Sequence, residues 1–219
     1  MKLALLTIGQ SPRSDILEDV KYLLKGINYV EKGLLDELSP EEIEEHYGPE
    51  PGEEVYVSRL RSGEEVKLSK KRVVEGMKRL VKDVEDEADV ILVMCTGDFE
   101  VESRKLVILP SRLLIGIVAS VHIKSLGVLV PAEEQVDMAR RRWGRLAEDL
   151  VVEHWSPYSG DPEELRLRAR SFLNTDLIVM DCFGYGTSHA QILRRFAGRP
   201  VALPRTLSFL VALDLLGAH

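Results

Sequence analysis

Apolar runs separated by amphipathic stretches set the frame of this chain, and two of the runs look like copies. Ala88-Asp89-Val90-Ile91-Leu92-Val93-Met94-Cys95-Thr96-Gly97 and Thr175-Asp176-Leu177-Ile178-Val179-Met180-Asp181-Cys182-Phe183-Gly184 each carry an Asp, a short apolar run, a Cys and a glycine-containing turn. Unbroken, β-branched-rich runs predict strands buried on both faces of a parallel sheet. Each Cys then sits at the carboxyl end of its strand, where open α/β sheets place their ligands.

The rest of the chain alternates around these strands. Residues 2–8 predict a first strand, and 16–25 a helix capped by Ser14 or Asp15, with Gly26 past its end. Residues 29–34 predict a short strand. Ser39-Pro40-Glu41-Glu42 is a capping box with Pro at the first helical position. Residues 55–60 and 65–68 flank Arg61-Ser62-Gly63-Glu64, which signals a β-hairpin or a strand with a small flap. Ser69 caps a helix whose Val73, Val74, Met77, Leu80, Val81 and Val84 form one buried stripe. A crossover strand and an apolar helix follow over 106–122, then a strand at 125–130 that ends at Pro131. Residues 133–147 predict an amphipathic helix with Val136, Ala139, Trp143 and Leu146 inward. A strand at 149–155, a helix capped by Asp161 and the Cys182 strand come next. Thr187 or Ser188 caps a helix that Gly198 ends. A short strand at 200–204 and an apolar helix at 207–216 close the chain.

Each half reads strand, helix, strand, helix, Cys strand. That alternation predicts an α/β fold of two pseudo-symmetric Rossmann-like lobes, each a parallel sheet with helices on both faces. The expected first lobe is 1–105 plus 200–219, and the second is 106–199. Strand ends that face one another across two lobes enclose a pocket, a usual place for small ligands.

Composition narrows the partners. A net charge of −7 argues against nucleic acid and anionic membranes, which select basic surfaces. No apolar run approaches the ~20 residues of a spanning helix. The opening Met1-Lys2-Leu3-Ala4-Leu5-Leu6-Thr7-Ile8-Gly9 is too short for a signal peptide and has no small-residue cleavage site. A cytoplasmic protein with reduced thiols is expected, for which a homodimer is one admissible assembly. No C-x-x-C or Cys/His cluster suggests a structural zinc site. Gly184-Tyr185-Gly186 lacks the third Gly of the dinucleotide fingerprint, and no P-loop is present.

The candidate chemistry centres on the thiols, since Cys95 and Cys182 are the only cysteines. Proton removal next to a carboxylate, with return to the other face, needs two groups on opposite sides of the carbon, one deprotonated and one protonated. Cys suits both roles. Each Cys precedes a turn expected to lead to a helix, whose N-terminus favours a thiolate and an anionic substrate. Thr96 and Gly97 would supply donors on one side, and Phe183, Gly184 and Tyr185 amides on the other. Gly9-Gln10-Ser11-Pro12-Arg13 reads as a ligand loop or as an ordinary βα turn. Arg13 or Arg205 would hold a carboxylate. Pro131 completes the expected substrate-binding set, and His189 is either a proton partner or a surface residue. Asp98 and Asp181 would raise thiol pKa values. Against all this, a free Cys is also a common buried hydrophobe, and a disulfide would require close approach.

The chain resembles the AroM family. The resemblance is carried by Leu6-Thr7-Ile8-Gly9, Leu38-Ser39-Pro40-Glu41-Glu42, Tyr47-Gly48-Pro49-Glu50, Ser69-Lys70-Lys71-Arg72-Val73, Leu109-Pro110-Ser111-Arg112, Gly127-Val128-Leu129-Val130-Pro131 and Met180-Asp181-Cys182-Phe183-Gly184. The paired cysteine strands also look like the aspartate/glutamate racemase superfamily of racemases, maleate isomerase and arylmalonate decarboxylase. That resemblance implies a site without cofactor or metal, with one catalytic Cys per lobe. The sequence departs from the racemase pattern in Thr96-Gly97-Asp98 after the first Cys and Phe183 after the second. The expected function is a two-thiol isomerase, racemase or lyase on a small carboxylate. The alternative is a non-catalytic metabolite-binding or sensor protein with the same cleft.

Overall fold

The computed structural model describes residues 1–218. The first sheet is parallel, in the order β2-β1-β5-β6, and is built from β1 (Lys2–Thr7), β2 (Asn28–Gly33), β5 (Val90–Val93) and β6 (Leu106–Ile108). The second, in the order β10-β9-β7-β8, uses β7 (Ser125–Val130), β8 (Asp149–His154), β9 (Leu177–Met180) and β10 (Val201–Ala202). Read from the other end, the second order is the first repeated, with β7 in the place of β1 and β9 in the place of β5. Both cysteine strands are therefore central, and all their residues are buried.

Helices cover both faces of each sheet. On one face of the first sheet lie α2 (Pro40–Tyr47), α3 (Lys70–Val84) and the antiparallel hairpin of β3 (Val55–Arg59) and β4 (Glu65–Ser69). On the other lie α1 (Ser14–Val20) and α8 (Pro204–Leu215). The second sheet is covered by α6 (Pro162–Arg168) and α7 (Thr187–Ala197) on one face, and by α4 (Pro110–Ser120) and α5 (Val136–Trp143) on the other. The α3 stripe shows what holds a layer in place. Val73, Met77, Val81 and Val84 are fully buried, each contributing about 1.5–3 kcal/mol by leaving water.

Caps explain several element boundaries. Ser39 and Glu42 form the expected reciprocal box, and Ser69 accepts the Arg72 N–H. Gly198 closes α7 in the left-handed region at φ 66, which favours glycine. Three helix expectations need correction. Neither Ser14 nor Asp15 caps α1, which begins at Ser14 after Arg13 and ends by Val20. Neither Thr187 nor Ser188 caps α7. Instead Asp19 from α1 accepts the Thr187 N–H at 2.9 Å, so a side chain of the first lobe caps a helix of the second. The expected helix over 133–147 is a 3₁₀ turn at Glu133–Gln135 followed by the shorter α5.

A boundary after Lys105 would put Leu106–Ile108 in the second lobe and residues 200–204 in the first. The strands pair the other way. β6 adds to β5, and β10 adds to β9. The helices after them cross over, α4 to the second sheet and α8 to the first. Each crossing turns at the same dipeptide, Leu109-Pro110 or Leu203-Pro204, with the Leu extended and the Pro at the first helical position. An apolar strand run followed by Leu-Pro carries no sign of which sheet it joins.

Candidate active site

The two cysteine turns are built alike. Beyond β5, the Met94 N–H donates to Leu6 O at 2.7 Å and the Cys95 N–H to Val93 O at 2.8 Å. Beyond β9, the Asp181 N–H donates to Leu129 O at 2.8 Å and the Cys182 N–H to Met180 O at 2.9 Å. Two residues on, the Gly97 and Gly184 N–H groups each donate to their own cysteine Sγ at 3.4 Å. Each glycine lets a tyrosine lie against the turn. A Cβ on Gly97 would come within 2.7 Å of the Tyr56 ring, and one on Gly184 within 2.4 Å of the Tyr158 hydroxyl oxygen.

Both thiols are free and buried, and both line one cavity. Ile8, Met94, Val130, Met138 and Phe183 add apolar wall, and Tyr56, Ser58, Gln135, Arg142 and Tyr158 add polar groups. The space open to water centres is about 30 Å³. One water needs ~10–15 Å³ by that measure, so the cavity in this form suits a very compact occupant. The hairpin of the first lobe roofs it, and reaches the second lobe through Gln135 Nε2 donating to Val55 O at 2.9 Å and Lys67 pairing with Glu134 at 2.5 Å.

Burial dominates the thiol chemistry. It pushes Cys95 up to about 12, aided by the charges of Cys182 and Asp181 and opposed by the Gly97 N–H and Arg142. It pushes Cys182 up to about 11, with Asp181 again raising and the Gly184 N–H, Arg13 and Arg205 lowering. The expected helix N-terminus is present on one side only. The Cys182 turn leads into α7, whereas an irregular stretch leads from Cys95 to β6. Of the two acids expected to raise the thiols, Asp181 does so. Asp98 points outward, 57% exposed, and stands against Arg142 at 3.0 Å.

Of the expected site residues, Arg13, Cys95, Thr96, Gly97, Pro131, Cys182, Phe183 and Gly184 line the cavity. Gly9, Gln10, Ser11, Tyr185 and Arg205 do not. Gln10 donates to Leu35 O and Leu38 O, and Ser11 donates to Asp36, so that turn is tied to the β2–α2 connection. Gly9 packs against Ser58 and Arg59. Tyr185 is a core residue whose hydroxyl donates to Trp155 O at 2.7 Å. His189 neither faces the cavity nor stands free in solvent. Its Nδ1 accepts the Gly186 N–H at 3.1 Å, and burial first, then Arg205, push it down to about 4.

Neither expected arginine has a donor to offer. Arg13 donates from Nε and Nη2 to Asp15, from Nη1 to Thr7 and Ser58, and from Nη2 to the Tyr158 hydroxyl oxygen. Arg205 donates to Phe183 O, Gly184 O, Asp15 O and Asp19. The unexpected residue is Arg142, with a side chain only 9% exposed. Its Nη1 donates to Thr96 O and both Asp181 oxygens; its Nε and Nη2 make no aligned hydrogen bond among the described residues, although Nη2 is in an ion pair with Asp98 Oδ2 at 3.0 Å. Only its spacing marks Arg142 in the sequence: it lies three residues beyond Ala139 and one before Trp143, on the inward stripe of α5. The run Arg140-Arg141-Arg142 disguises it as a solvated face. Tyr158 sits in a loop with no periodicity to mark it.

Among the described residues no group of three or more His, Cys, Asp or Glu is placed to hold a metal ion, and no helix is long and apolar enough to cross a membrane. The family model described as AroM protein matches residues 3–216. The chain belongs to the AroM family. No curated protein matches it. Solved structures of the same fold include allantoin racemase from Klebsiella pneumoniae, at 14% identity and TM-score 0.65, covering 100% of this chain and 89% of that one. Maleate isomerase Iso from Pseudomonas putida S16 follows at 13% identity and TM-score 0.63, covering 100% and 93%. Unliganded arylmalonate decarboxylase aligns at 14% identity and TM-score 0.54, also covering 100% and 93%. These likenesses establish a racemase/isomerase fold of two lobes for this AroM-family chain.

Proposed function

We propose that this AroM-family chain is a cofactor-independent isomerase or racemase, or a related lyase, acting on a small carboxylate between its lobes. One observation carries the reading: the only two cysteines end matched strands and line the same cavity. One sulfur takes the proton from the carbon beside the carboxylate as a thiolate. The other, as a thiol, returns a proton to the opposite face and becomes the thiolate. Cys182, with the lower pKa and two arginines nearby, is the proposed first base. Thr96, Gly97, Pro131, Phe183 and Gly184 would contact the substrate. The fold neighbours support the class, since they include racemases, an isomerase and a decarboxylase. The cytoplasm is the proposed compartment.

A second reading, a sensor that binds a metabolite without turnover, is favoured by the raised thiol pKa values. At about 11, only roughly one Cys182 in ten thousand is a thiolate at pH 7. Isotope exchange separates the two. Candidate acids are incubated in deuterated water with wild type, Cys95→Ala and Cys182→Ala. Label entering the carbon beside the carboxylate, lost in both variants, supports the enzyme. Binding without label across the panel supports the sensor.

A further inference from the structure

Among the described residues, Arg142 is the cation on the cavity wall with hydrogen-bonding capacity left. Nε–H and the Nη2–H beside it form the side-on fork with which a guanidinium grips a carboxylate bidentately. Both atoms are shielded from solvent and make no hydrogen bond. Leaving a buried charged donor unmade is costly, so such a fork calls for an acceptor. Asp98 Oδ2 stands 3.0 Å from Nη2 but without hydrogen-bonding alignment, and its carboxylate is mostly exposed. The other edge of the guanidinium is fixed by Thr96 O and Asp181, and Asp181 is fixed in turn by the Trp143 indole N–H at 2.8 Å.

We propose that Arg142 receives the ligand's carboxylate on this fork, displacing Asp98, and that the ligand carries a single carboxylate. The proposal rests on the small-carboxylate reading of the cavity and narrows it. The count of donors sets the limit of one. Arg13 has its guanidinium engaged by Asp15, Thr7, Ser58 and Tyr158, and Arg142, held on its other edge by Asp181, has only the Nε and Nη2 edge left. A second carboxylate would enter a buried space with no unengaged cation and with the Asp181 charge in its wall, and an unpaired buried charge is strongly unfavourable. The small free volume and the methionine and valine walls fit a short apolar or neutral remainder.

Propionate, malonate and neutral propionamide serve as probes at millimolar concentration. Trp143 is the reporter, because its indole N–H bonds the carboxylate that Arg142 shares; Trp155, whose indole donates to Asp161 O, is the internal reference for folding. Propionate is expected to shift the Trp143 indole resonance and leave that of Trp155 in place, with malonate weaker and propionamide inert. Arg142→Gln should weaken propionate at least ~10-fold, as befits a lost charged hydrogen bond, with Arg142→Lys in between. Asp98→Asn, an exposed change that keeps the fold, should tighten it by removing the competitor. No response to propionate, malonate binding as well as propionate, or Asp98→Asn weakening propionate overturns the proposal. Propionate binding through Arg142 with no isotope exchange by any acid leaves it standing while the catalytic reading falls. Exchange that needs both thiols yet survives Arg142→Gln does the reverse.

Discussion

The turn after Cys95 and the turn after Cys182 share one backbone plan and differ in what charges it. Both place an N–H on their own sulfur and both pack a tyrosine against a glycine. The second turn is then clamped. Arg205, 2% exposed, donates to Phe183 O and Gly184 O and ties them to Asp15 and Asp19 of the first lobe. At the matching place after the other Leu-Pro crossing stands Ser111, whose Oγ is buried with no hydrogen-bond partner. The Cys95 turn instead meets Arg142, whose fork has only the exposed Asp98 carboxylate beside it. A duplicated scaffold has thus kept its backbone and divided the tasks, with one wall fixed and the other left to receive a ligand.

The sharpest way to break that comparison is to remove its two counterparts. Arg205→Ala leaves buried carbonyls and Asp19 without their donor and should cost about 3–5 kcal/mol in chemical denaturation, the range for breaking a buried charge network. Ser111→Ala removes a hydroxyl that bonds nothing and should be neutral within about 0.5 kcal/mol. Equal effects would deny the division of tasks. Next in size, Gly184→Ala and Gly97→Ala each force a tyrosine away from its turn, and each should cost about 1–3 kcal/mol as overpacking does. Gly184→Ala should cost more, because the Tyr158 hydroxyl it displaces also holds Arg13 at 3.2 Å.

Alkaline pH probes the thiols themselves. Burial raises both folded pKa values above the ordinary 9.0. The unfolded chain therefore ionises first, and stability present below pH 9 is lost as pH rises through the folded values. Cys182→Ala should flatten that loss between pH 9 and about 11, and Cys95→Ala should extend the flattening towards about 12. Alkylation followed by mass spectrometry should find Cys182 reacting at lower pH than Cys95. The smallest effect is at the acid end. With His189 held neutral down to about 4 against an ordinary 6.5, the unfolded chain takes the proton first, so stability is lost as pH falls from 6.5 towards 4. His189→Gln should lessen that loss, and its imidazole resonances should titrate near pH 4.

How much of this was legible in the sequence differs between scaffold and site. Unbroken apolar runs, 3.6-residue patterning, Ser39 and Ser69 as caps, and the repeated Asp-to-Cys runs place the strands and bring the thiols together, because each is a local signal. What the sequence hid is long-range. Which sheet takes residues 106–108 or 201–202 depends on an edge that forms elsewhere. Arg205 looks like a ligand-binding arginine until its donors are seen on carbonyls of another segment. Arg142 sits on an inward stripe that its arginine neighbours conceal.

Proton transfer by the two thiols is tested most directly by following one enantiomer of an exchanging acid in deuterated water with wild type and each single cysteine variant. The account predicts interconversion with label uptake in wild type and no interconversion in either Cys95→Ala or Cys182→Ala. Interconversion that persists in one of those variants would contradict it.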